Sequence, residues 1–170
     1  IADMYIGETT CDGKKKAWEI LSEDVPVYVM DLPQMKRAKD VQAWAEEITA
    51  LKDKVEEFTG NKVTAEKLGE SIRLINDKRR VLERLYNCRK SEILPISGTD
   101  ALVISQIAFY DDPARFTQMT NKLCDELEQR IQDGVSVVPA GTKRIMLTGT
   151  PLAIPNWKLH NIVETSGAVV

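Results

Sequence analysis

What the chain lacks narrows the field first. It holds three cysteines, an odd number at wide spacing and with no C-x-x-C pair. That excludes a disulfide framework and the usual zinc or ferredoxin ligand runs. It holds a single histidine, His160, and neither Ser97 nor Asp100 has a histidine close in sequence, so a serine-hydrolase triad has no support. No apolar run approaches the ~20 residues that cross a bilayer, which predicts no membrane association, and no secretory leader pattern opens the chain. Positive charge is also short: 23 Lys and Arg face 26 Asp and Glu, for a net charge of -3 and a pI near 5.3. A nucleic-acid binder normally shows the opposite balance. A cytoplasmic location is the expectation.

What is present fits a globular protein: 170 residues, 43% hydrophobic and 29% charged, enough for a real core. Strand-like segments at both ends, with nothing to close a sheet around them, predict an excerpt from a longer protein. The expected fold class is α/β, with Rossmann- or flavodoxin-like βαβ pieces at both ends and a helical insert between. Residues 1–34 form part of a first α/β domain, 35–134 a helical segment, 135–141 a linker, and 142–170 the start of a second α/β domain.

Within the first piece, Met4-Tyr5-Ile6 reads as a strand, the segment to about Leu21 as a helix, and Val25–Met30 as a nearly continuously apolar strand of the parallel, doubly covered kind. In the middle, Trp44, Ile48, Leu51, Val55 and Phe58 step by four and three on a helix that stops at Gly60. Leu68, Ile72, Ile75, Leu82 and Leu85 mark a second helix beginning near Thr64. A neighbouring stripe of Leu74, Val81 and Cys88 predicts burial over a broad face. Ser97 or Thr99 caps a segment from Ala101 to Phe109, and Asp112-Pro113 starts a helix running to Gly134. The last piece reads as a strand over Arg144–Leu147, a Thr148-Gly149-Thr150-Pro151 loop, a helix near Asn156–Glu164, and a closing strand after Gly167.

Cys11 stands out by its setting, Glu8-Thr9-Thr10-Cys11-Asp12-Gly13-Lys14-Lys15-Lys16, where a strand hands over to a helix N-terminus. Unpaired N–H groups and the helix dipole favour an anionic group at such a point. Nucleophile, redox thiol and metal ligand all remain open for it. Cys88 and Cys124 fall in register with apolar stripes and read as small buried hydrophobes. His160 reads as a surface or half-buried residue. The three lysines read as a solvated helix face, and the Thr148–Pro151 loop, without G-x-G-x-x-G or a Walker lysine, as a steric turn.

The segments ETTCDGKKKAWEIL, PVYVMDLPQ, PISGTDAL and RIMLTGTP, in this order along essentially the whole chain, closely resemble the 2-hydroxyacyl-CoA dehydratase family. That family takes in the 2-hydroxyglutaryl-CoA dehydratase D-component, benzoyl-CoA reductase subunits and the double-cubane cluster proteins. The resemblance implies that Cys11 is a ligand of a [4Fe-4S] or double-cubane cluster whose other ligands lie outside these residues. It implies a ketyl-radical elimination of water from a 2-hydroxyacyl-CoA or, in the double-cubane branch, reduction of small molecules. The implied partners are a second homologous subunit or second copy, an ATP-dependent iron–sulfur activator and an acyl-CoA substrate. Glu8, Thr10 and Asp12 are expected to hydrogen-bond around the cluster. An unliganded Cys11 in a purely structural fragment is the other reading.

Overall fold

The computed structural model describes residues 2–170, and Ile1 lies outside them. Internal contacts divide the chain into two units, one through Ala65 and one from Glu66 to Val170.

The first unit is a βαβ turn followed by a long helix. β1 (Tyr5–Glu8), α1 (Asp12–Leu21) and β2 (Val27–Met30) follow one another, and the strands pair in parallel with Tyr5 opposite Val27 and Glu8 opposite Met30. β2 begins later than its apolar run, because Val25 closes the turn after α1 by donating to the Leu21 carbonyl. Gly7 matters to this packing: a Cβ there would lie 2.6 Å from the Trp18 ring. The same indole donates from Nε1 to the Glu8 carbonyl at 3.1 Å, locking α1 onto β1. α2 (Ala38–Thr59) starts where Asp40 accepts from the Arg37 N–H at 2.9 Å and from its guanidinium. It ends at Gly60, whose φ of 70° is the left-handed cap conformation that glycine adopts without steric cost.

The second unit holds α3 (Ala65–Cys88), α4 (Gly98–Ile107), α5 (Pro113–Gln132), β3 (Lys143–Arg144), α6 (Lys158–Thr165) and β4 (Ala168–Val169). Its core joins Val81, Leu85 and Cys88 of α3 to Phe116, Cys124 and Leu127 of α5, with Ile96 and Ala108. The broad burial expected for α3 is confined to its C-terminal half; Leu68 and Ile72 remain half exposed. Arg84 fastens the two long helices, donating to both Glu128 oxygens at 2.7 Å, to Asp125 at 2.6 Å and to the Asn121 side chain at 3.1 Å. Ser97 caps α4 by accepting from the Asp100 N–H, and Asp112 caps α5 ahead of Pro113.

β3 and β4 pair in parallel, Lys143 opposite Ala168. The strand expected over Arg144–Leu147 spans Lys143–Arg144, and Ile145 continues the pairing by donating its N–H to the Val169 carbonyl at 2.7 Å. α6 likewise begins two residues later than expected, since Asn156 and Trp157 are held in a turn by the Ala153 and Pro155 carbonyls. The described residues are therefore mixed α/β, with one parallel βαβ arrangement near each end and the four helices α2 to α5 between. Among the described residues no helix is long and apolar enough to cross a membrane.

Candidate functional site

Cys11 is the N-cap of α1. Its backbone is extended (φ -138°, ψ 133°), its carbonyl accepts the Lys15 N–H at 3.0 Å, and its side chain makes no capping hydrogen bond. The thiol is free and exposed. It lies at the carboxyl end of a parallel strand pair, the end where α/β sheets place their ligands.

Two sets of bonds hold this turn. On one side, Thr9 donates its hydroxyl to Asp31 at 2.9 Å and accepts the Leu32 N–H at 2.9 Å, tying the loop after β1 to the end of β2. On the other, the Glu8 carboxylate folds back over the loop. It accepts from the Thr10 N–H at 2.6 Å and forms an ion pair with Lys14. The Lys14 ammonium, followed by the Thr10 hydroxyl and N–H, holds the Glu8 carboxyl well below the usual carboxylate range, at about 2. The same pairing with Glu8 raises the Lys14 ammonium. Both charges persist across the neutral range, so the immediate neighbourhood of Cys11 is electrically balanced rather than strongly positive.

The three residues expected around the thiol have different roles. Glu8 and Thr10 bond to one another and brace the turn. Asp12 is fully exposed and faces only Lys15, at 3.5 Å. Lys15 and Lys16 stay on the solvated helix face and pair with Asp12 and Glu19. Thr9 and Asp31, which the sequence did not single out, tie the loop across 22 residues; the hydroxyl directly after a strand was the only signal.

The remaining candidates belong to the second unit. Cys88 and Cys124 lie in the same buried core, and burial pushes both thiols up, Cys124 to about 11. They stay protonated at neutral pH and are poor metal ligands. His160 departs from expectation: it is 6% exposed, because the apolar face of α6 turns it inward. Burial lowers its pKa and keeps it neutral. Ser97 and Asp100 bond to each other as a helix cap, and the Thr148–Pro151 loop borders a groove with His160. Among the described residues no three His, Cys, Asp or Glu side chains gather as a metal site. Among the described residues Cys11 is the one exposed thiol, so the donor set they offer amounts to a single sulfur.

The whole chain, residues 1–170, matches the family described as "2-hydroxyglutaryl-CoA dehydratase, D-component". It is 32% identical over 171 residues to "Putative dehydratase subunit YjiM" of Escherichia coli (strain K12), covering 99% of this chain and 44% of that protein. It is 23% identical over 155 residues to a benzoyl-CoA reductase subunit of Thauera aromatica, covering 90% of this chain and 39% of that protein. The chain spans less than half the length of these curated relatives.

Proposed function

Since the chain belongs to the 2-hydroxyglutaryl-CoA dehydratase D-component family, we propose that it is the part of an iron–sulfur subunit that supplies Cys11 as one cluster ligand. The observation that carries this reading is the free Cys11 thiol at the N-cap of α1, in a turn braced on both sides. A metal-ligating sulfur must be presented in one place at little reorganisation cost, and the surrounding groups must hold it there. Thr9, Asp31, Glu8 and Lys14 do this without competing for the sulfur.

When bound, such a cluster would supply a low-potential electron to a 2-hydroxyacyl-CoA thioester and recover it after the hydroxyl group has left, so that the elimination needs no acidic proton and is redox-neutral overall. The chain's own contribution is positional and electrostatic. Thr9 fixes the turn against β2. The Glu8–Lys14 pair cancels its own charge, so the sulfur meets the oriented N–H dipoles of α1 instead of a net ion. The remaining ligands, the CoA site, a homologous partner subunit and an ATP-dependent activator belong to the whole enzyme in this reading, which is cytoplasmic.

The test is EPR of the dithionite-reduced full natural polypeptide containing these residues, prepared anaerobically. Cys11→Ala is expected to abolish or reshape the cluster signal, while Cys88→Ala and Cys124→Ala leave it intact. An unchanged signal in Cys11→Ala overturns the assignment.

A further inference from the structure

A second feature lies in the unit from Glu66 onward. A groove of about 620 Å³ opens there, bordered by α3, α4, α6 and the segment after β3. The charged residues lining it, Arg89, Lys90 and Arg144, are all cationic; no aspartate or glutamate lines it. That is a marked local excess in a chain whose net charge is -3. None of the three has a carboxylate ion-pair partner among the described residues. Arg144 spends its guanidinium on the Arg89, Ser91 and Glu92 carbonyls, and Arg89 donates to the Val170 carbonyl. Lys90 stands 4.7 Å from the centroid of the Tyr86 ring. The Glu164 charge acts on Arg89, but its oxygens already accept from the Gly98 and Thr99 N–H groups and the Thr99 hydroxyl. His160, neutral and buried, adds no charge to the wall, and its Nδ1 has no partner.

The loop at the mouth supplies donors. The N–H groups of Thr148, Gly149 and Thr150, and both threonine hydroxyls, make no hydrogen bond among the described residues. Gly149 has a φ of 119°, a conformation L side chains rarely adopt. Free N–H groups along a turn with a left-handed glycine form a concave donor set for a multiply charged oxyanion. The floor is aliphatic, with Leu102 and Leu159 among its residues.

We propose that this groove binds an organic phosphate, with the phosphoryl oxygens on the Thr148–Thr150 loop and Lys90 and the organic part on the aliphatic floor. Three N–H groups, two hydroxyls and an ammonium offer more donors than one carboxylate can accept in a single orientation, whereas a phosphate ester has three terminal oxygens for them. The groove is much larger than inorganic phosphate alone requires. The site does not depend on Cys11.

Titration calorimetry on the full natural polypeptide with hexyl phosphate, inorganic phosphate and hexanoate tests this. Hexyl phosphate is expected to saturate a single site, roughly tenfold tighter than either comparison ligand. Lys90→Glu, a substitution at an exposed position, should weaken it by at least about tenfold, and Gly149→Ala should weaken it as well. Cys11→Ala should leave it unchanged, which separates this site from the cluster assignment. Absence of saturable hexyl phosphate binding, equal or tighter binding of hexanoate, or unaltered binding in Lys90→Glu overturns the proposal.

Discussion

Replacing Gly7 with alanine tests the packing that seats the Cys11 turn, because two effects of opposite sign meet there. Gly7 is the third residue of β1 and its φ is not positive. Alanine at a compatible backbone position normally stabilises by about 0.4–1 kcal/mol, by restricting the unfolded chain. Here the added Cβ would lie 2.6–2.7 Å from three atoms of the Trp18 indole, so the ring must move. Overpacking of that kind costs about 1–3 kcal/mol. Moving the ring also loosens the Trp18 Nε1 bond to the Glu8 carbonyl, a contribution of about 1 kcal/mol. The sum is a net loss of about 1–3 kcal/mol. In a Trp18→Leu background the clash is gone and only the backbone gain remains, so the same substitution should become neutral or stabilising. A double-mutant cycle read by urea unfolding of the full natural polypeptide measures this coupling. An equal cost of Gly7→Ala in both backgrounds would refute the reasoning.

Other outcomes follow from the same geometry. Thr9→Val keeps the shape of the side chain but removes its bonds to Asp31 and Leu32; a loss of about 1 kcal/mol and faster amide exchange at Leu32 are expected by hydrogen-exchange NMR. Leu127→Ala, at a fully buried core position, should cost about 2–5 kcal/mol in chemical denaturation. Glu164 gives a pH signature. Burial alone would raise its pKa, but the Thr99 hydroxyl and the N–H groups of Gly98, Thr99 and Val170 outweigh it and hold the carboxyl below its ordinary value of 4.5. The folded state thus gains stability above the unfolded value and loses it as pH falls below 4.5 through the folded one. Glu164→Gln should flatten the acid limb of the stability–pH curve, and an unchanged limb would contradict the assignment.

Local rules read much of this architecture from sequence. The cap residues Ser97 and Asp112, the stop at Gly60 and the handover from β1 to α1 at Cys11 all rest on chemistry within a few residues. So does the core role of Cys88 and Cys124, whose registers are helical. What was not legible depends on contacts far apart in the chain. The tie from Thr9 to Asp31 spans 22 residues. The burial of His160 depends on which face α6 turns inward, and a single polar residue in a short helix does not announce that. The loop at 148–151 looked like a turn required only by sterics, because its cationic surroundings come from Arg89 and Lys90 at the end of α3.

The most direct measurement of the cluster assignment is iron and acid-labile sulfide per polypeptide, in the anaerobically reconstituted full natural protein beside its Cys11→Ala variant. About four irons are expected in the parent, the content of one cubane cluster, with a clear loss in the variant while circular dichroism shows the fold retained. Equal iron in both proteins, or none in the parent, would contradict Cys11 as a cluster ligand.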